Sequence, residues 1–200
     1  MNKIAKEVKG VIFDLDGTLV VSDLDFAAIR SEGGVPDGVP VLEYLDGADG
    51  PERELALRVL LEHEERAAHG CRLQPGARHV LEALRGMGMK LALLTRNSRN
   101  SVQHVVSRFG LLFDCCVARE DAEPKPSPQP VLMIAERLGL RPEQLLVVGD
   151  YVFDIESGLA AGALTALLRT DKELPPHPRA HVVLNDLMEL LDHFPPQEAV

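Results

Sequence analysis

The stretch Val11-Ile12-Phe13-Asp14-Leu15-Asp16-Gly17-Thr18 runs from an apolar triplet straight into two carboxylates and a glycine turn. A short apolar run bounded by turn residues is the pattern of a buried strand, so the acids stand where that strand reaches the surface. Two like charges on neighbouring side chains disfavour joint ionisation unless a cation or donor compensates them. Buried acids are ordinarily paired or bound to metal, and the pair Asp14 and Asp16 therefore asks for a divalent ion. An acidic turn capping the next segment would explain this stretch alone, because Asp and Gly are common turn residues. Three later segments favour chemistry.

Leu91-Ala92-Leu93-Leu94 is a second apolar run ending in polar donors, Thr95-Arg96-Asn97-Ser98. Thr95 offers a hydroxyl for an oxyanion or a cap for the following helix. Glu123-Pro124-Lys125-Pro126-Ser127-Pro128 places one lysine between two prolines, each of which fixes its own φ and restricts the residue before it. That is a positioned cation. Leu145-Leu146-Val147-Val148-Gly149-Asp150 reads as a buried parallel strand ending in an acid, with Asp154 four residues on. Asp154 either faces the same centre or favours a helix N-terminus through the dipole.

Strand patterns at 10–14, 90–95, 114–118, 145–150, 164–168 and 181–184 alternate with helical patterns at 76–87, 99–109, 128–139, 155–162 and 186–193. This alternation predicts an α/β fold, a Rossmann-like doubly wound parallel sheet. Ligands of such sheets lie outside the strand carboxyl ends near a topological switch point, so the four polar segments can converge. Residues 22–73 interrupt the alternation. They carry an acidic helix around Asp23–Ser31, a Gly/Pro-rich loop from Gly33 to Pro40, and a second helix from Pro51 to Gly70. This predicts a small helical cap inserted into a core formed by 1–21 and 74–200, hinged at Val20-Val21 and Gln74-Pro75-Gly76. The tail from Pro195 is expected to fray.

With 21 basic and 31 acidic residues the chain carries a formal charge of −10, which repels nucleic acid and anionic membrane. No apolar stretch approaches a membrane span and no signal-peptide region is evident, so a soluble cytoplasmic protein is expected. Cys71, Cys115 and Cys116 lack metal-ligand spacing and are expected to be reduced and structural. None of the seven histidines shows paired metal spacing. Ser22, Arg30, Glu32 and Arg66 could reach the pocket from the cap, although a charged helix face is usually solvated. Tyr151, Val152 and Phe153 read as packing. Oligomeric state is not legible.

Taken in order, Asp14-Leu15-Asp16-Gly17-Thr18, Thr95 with Arg96 and Asn97, Lys125, and Gly149-Asp150 with Asp154 make the chain resemble the haloacid dehalogenase-like superfamily. The branch it is most similar to is phosphoglycolate phosphatase-like, with a cap after the first motif. The resemblance implies a Mg²⁺-dependent phosphatase acting on a small phosphorylated metabolite through an aspartyl-phosphate. It implies Asp14 as nucleophile, Asp16 as general acid and base, and Thr95, Arg96 and Lys125 as phosphate-binding groups. Asp14, Asp16 (through its carbonyl) and Asp150 are the implied metal ligands, with Asp154 supporting the site. A phosphomutase uses the same acids and stays open, as does, from another class, a non-catalytic or receiver-like phospho-aspartate module. Asp16 disfavours a dehalogenase, which has no leaving group to protonate, and the absence of lysine between Lys9 and Lys90 disfavours a phosphonatase.

Overall fold

The structure is a computed structural model, and it describes residues 7–170 and 177–194. Six strands form one parallel sheet: β1 (Gly10–Phe13), β4 (Lys90–Leu94), β5 (Cys115–Val117), β6 (Leu145–Gly149), β7 (Leu164–Leu168) and β8 (Val182–Leu184). Their order is β5-β4-β1-β6-β7-β8. Strand β1 sits centrally, with Gly10 level with Lys90 on one side and with Leu145 on the other. The connections run outward from β1 through β4 and β5, then return to start again at β6. The switch point therefore lies between β1 and β6, and Asp14 and Asp150 follow these two strands directly.

Alternation along the strands divides the core into two layers. Val11, Phe13, Leu91, Leu93, Leu146 and Val148 face one side, packed with Val80, Leu81 and Leu84 of α4 (Ala77–Gly86) and Val102 and Val105 of α5 (Arg99–Phe109). Ile12, Ala92, Leu94, Leu145 and Val147 face the other, against Val131, Ile134 and Ala135 of α6 (Gln129–Leu138). Helix α7 (Val152–Ala161) lies on this second face, where a Cβ on Gly158 would stand 3.1 Å from Val147 and 2.6 Å from Thr165. Helices on both faces make the sheet doubly wound, as the sequence predicts.

Past β1 the chain reverses at Gly17, whose φ of 76° is left-handed and suits glycine. Fully buried Leu15 and Leu19 anchor the reversal, each contributing roughly 1.5–3 kcal/mol by burial. The short strands β2 (Val20–Val21) and β3 (Arg72–Leu73) then pair antiparallel. Between them lie α1 (Phe26–Gly33), α2 (Val41–Gly47) and α3 (Gly50–Gly70). These helices bury an apolar cluster of their own: Ile29, Val35, Val41, Leu42, Leu45, Ala56, Val59 and Leu60.

Several expectations shift at this level. The acidic helix is expected over Asp23–Ser31 but starts at Phe26, because Asp25 is its N-cap and accepts from the amides of Ala27 and Ala28. Helix α2 is unanticipated: it follows a Pro-rich stretch and spans only seven residues. The segment Leu187–His193 is 3-10 rather than α-helical, started by Asp186, which accepts from the amides of Met188 and Glu189. The expected fraying of the tail from Pro195 lies outside the described residues. All three cysteines are free. Among the described residues no helix is long and apolar enough to cross a membrane.

Candidate active site

A cavity of about 490 Å³ opens at the carboxyl edge of the sheet beneath α1–α3. Asp14, Asp16, Thr95, Arg96, Lys125, Asp150 and Asp154 all line it, so the residues singled out by sequence share one space. The backbone explains the convergence. The Asp14 amide donates to Val148 O at 2.9 Å and that of Thr95 to Val117 O at 3.1 Å, which extends the sheet by one residue at each site.

Lys125 is the centre of the charge network. Its buried Nζ donates to Asp14 Oδ1 at 2.6 Å, to Asp154 Oδ1 at 2.5 Å and to Leu94 O at 3.2 Å. Burial would push the ammonium pKa down, but the Asp14 and Asp154 carboxylates outweigh it and hold the pKa above its ordinary value. Asp14 Oδ2 has no hydrogen-bond partner among the described residues. Burial raises the Asp14 carboxyl well above the ordinary aspartate value; Lys125 opposes this, and Asp154 and Asp150 add to it. Asp150 is pushed up to about 6 by burial and by the neighbouring Asp154. It accepts from Thr18 Oγ1 at 3.3 Å and Thr170 Oγ1 at 3.4 Å.

Oxygens of Asp14, Asp150 and Asp154 lie within 4.8 Å of one another. The Asp16 carboxylate stands outside this cluster: Ser22 Oγ donates to its Oδ1 and Asn97 Nδ2 to its Oδ2. The three-carboxylate set thus adds Asp154 to the expected ligands Asp14 and Asp150, while the metal role expected of Asp16 is through its backbone carbonyl and not this carboxylate. Burial still raises the Asp16 carboxyl, against the lowering effect of the Ser22 and Asn97 bonds. Asp154 combines both readings open to it: it accepts from the Tyr151 amide at 3.2 Å at the start of α7 and pairs with Lys125.

The cap reading of Thr95 is displaced, because Ser98 is the N-cap of α5 and accepts from the Ser101 amide. Thr95 Oγ1 accepts from the Asn97 amide at 3.1 Å and is buried in the cavity. The Arg96 side chain is not freely solvated. It donates to both Glu43 oxygens at 2.9 and 2.8 Å and to Lys125 O at 2.8 Å, and lies 4.7 Å over the Phe153 ring. Phe153 and the exposed Tyr151 line the cavity, which corrects their reading as packing alone. Glu64 of α3 is a site residue that the sequence reading does not reach. It is 2% exposed, ion-pairs with Arg119, and accepts from the Ser98 amide at 3.1 Å. Nothing in an isolated acidic helix marks one glutamate as inward-facing. Glu32 pairs with His63 at 3.0 Å and does not line the cavity, nor does Arg66; Ser22 and Arg30 do.

A doubly wound parallel sheet whose switch point carries a lysine-bridged group of carboxylates is an α/β architecture with an acidic site of the kind that serves phosphoryl chemistry. The sequence model of haloacid dehalogenase-like hydrolases matches residues 8–162, and the chain belongs to that family. It is 31% identical over 207 residues to a phosphoglycolate phosphatase of Aquifex aeolicus, covering 92% of this chain and 96% of that protein. It is 30% identical over 216 residues to an N-acetylmuramic acid 6-phosphate phosphatase of Pseudomonas aeruginosa, covering 92% and 94%. A crystal structure of a predicted phosphoglycolate phosphatase from Haemophilus somnus superposes with a TM-score of 0.76 at 25% identity, covering 94% of this chain and 98% of the other. Membership in a hydrolase family sets aside the receiver-like module.

Proposed function

We propose that this hydrolase is a Mg²⁺-dependent phosphatase that cleaves a small phosphorylated metabolite through an aspartyl-phosphate on Asp14. The observation that carries the reading is the Asp14 carboxylate, fixed through Oδ1 by Lys125 and, among the described residues, unpartnered at Oδ2. Oδ2 attacks phosphorus, and the bond from phosphorus to the ester oxygen breaks. Asp16 gives its proton to that oxygen, then takes one from the water that attacks phosphorus and releases phosphate from Asp14. The raised Asp16 carboxyl suits a group that must hold a proton before it delivers one. The Thr95 hydroxyl holds a phosphoryl oxygen with help from the Arg96 backbone amide, and Lys125, whose three donors are engaged, neutralises the phosphate as a point charge.

The donor set fits Mg²⁺, a hard cation that takes carboxylates, waters and phosphate oxygens. Asp14 and Asp150 would hold it with the Asp16 carbonyl, and Asp154 would support the site through Lys125. When bound, the ion neutralises and aligns the phosphate. Residues 22–73 serve as the cap over this site: they have their own apolar cluster and join the remainder through the β2 and β3 stem.

Relatives at similar identity are named for substrates of different size, phosphoglycolate and N-acetylmuramic acid 6-phosphate. Both compounds combine a phosphate ester with a carboxylic acid, and we take that pairing as the substrate class. Turnover of a chromogenic phosphate ester with and without Mg²⁺, in wild type and Asp14→Asn, tests the reading. Metal-dependent turnover lost in the variant supports it, and full turnover by Asp14→Asn refutes it. Product analysis with a sugar phosphate separates a phosphatase from a phosphomutase.

A further inference from the structure

Four cations line the cavity: Arg30, Arg96, Arg119 and Lys125. Three are already matched with acids. Arg96 pairs with Glu43, Arg119 with Glu64, and Lys125 with Asp14 and Asp154. Arg30, on the last turn of α1, makes no hydrogen bond or ion pair through its side chain among the described residues. It is half-buried, and the cavity lining drawn from residues 22–73 is mostly apolar, with Leu24, Phe26, Val41, Leu42 and Leu60 beside Ser22 and the Arg119-paired Glu64. A guanidinium has five donors in a fixed fork that matches a carboxylate, and an unmatched one beside an apolar wall is set for an anion it does not yet hold.

We propose that Arg30 is the specificity-determining residue of the site, reading a carboxylate on the substrate while the phosphate sits among Asp14, Thr95 and Lys125. This rests on the phosphatase reading and deepens it, because it assigns the second anion of the substrate to one residue of the cap. A chain of formal charge −10 offers such an anion little attraction elsewhere, so one uncompensated cation inside the pocket has a large share in selecting it. The apolar wall limits competition from water, which strengthens a charge-assisted bond.

The test compares two esters that differ at one end, 2-phosphoglycolate and 2-hydroxyethyl phosphate, in wild type, Arg30→Gln and Arg30→Lys. Wild type is expected to favour the carboxylate ester, and Arg30→Gln to reduce the ratio of the two kcat/KM values by about 10- to 100-fold, mostly through KM. Arg30→Lys should recover part of the ratio, since it keeps the charge and loses the fork. Thermal melts of both variants verify folding. Wild-type turnover of both esters with no carboxylate preference, or a ratio unmoved in Arg30→Gln, overturns the assignment while leaving the phosphatase reading intact. A preference for a sugar bisphosphate over phosphoglycolate overturns the commitment to a carboxylate. No turnover of any phosphate ester refutes the underlying reading instead.

Discussion

Replacing Lys125 with methionine tests the charge balance of the site through stability alone. The side chain is 4% exposed and bridges Asp14 and Asp154, which stand with Asp150 in a cluster of acids no wider than 4.8 Å. Methionine keeps much of the volume and removes the cation, leaving buried carboxylates without their partner at a cost of about 3–5 kcal/mol. For a chain of 200 residues each kcal/mol shifts Tm by roughly 2–4 °C, so the loss is about 6–20 °C. The sign with pH follows from the acids. The folded-state pKa values of Asp14 and Asp150 are raised, that of Asp150 to about 6, so the folded state holds protons the unfolded chain has lost. Their contribution to stability is present at low pH and disappears as pH rises through the folded pKa. Lys125 is charged throughout that window in wild type. The deficit of Lys125→Met in metal-free protein should therefore be large at pH 8 and small at pH 5, and Mg²⁺ should recover part of it at pH 8. Scanning calorimetry at both pH values, with and without Mg²⁺, measures this. A deficit equal at pH 5 and pH 8 and indifferent to Mg²⁺ would show that Lys125 does not balance these carboxylates.

The stabilisation of wild type by Mg²⁺ should itself be greater at pH 8 than at pH 5, where Asp150 must first lose a proton, and should nearly vanish in Asp150→Asn. Gly17→Ala should cut turnover strongly, because a Cβ there would overlap the Asp150 carboxylate on a backbone already at φ 76°; normal kcat in the variant would deny that the turn positions Asp150. Arg119→Ala strands the buried Glu64 carboxylate and should cost about 3–5 kcal/mol in denaturant unfolding. Glu43→Gln removes a more exposed pair and should cost under about 1 kcal/mol. Equal costs for these two would contradict the difference in burial.

The strands of the sheet were legible because each is a short apolar run closed by turn or polar residues, and Asp14, Thr95 and Asp150 were legible as polar side chains at their ends. Strand order was not, since the return from β5 to the far side of β1 leaves no mark in local sequence. Lys125 stood out through its flanking prolines, whereas its double pairing with Asp14 and Asp154 depends on residues 111 and 29 positions away. The same holds across residues 22–73: Glu43, Glu64 and Arg30 are all charges on helices, and only packing decides which meets Arg96, which meets Arg119 and which faces the cavity with no partner among the described residues. Helix α2 was missed because seven residues carry too little periodicity to compete with the Gly/Pro-rich stretch before them.

In the proposed mechanism phosphorus bonds to Asp14 during turnover. Acid-quenching the enzyme in steady state, reducing acyl phosphate with borohydride and sequencing the peptides tests it directly. Conversion of position 14 to homoserine, dependent on substrate, is the predicted result. Continued turnover with the label on another residue, or with none, would contradict it.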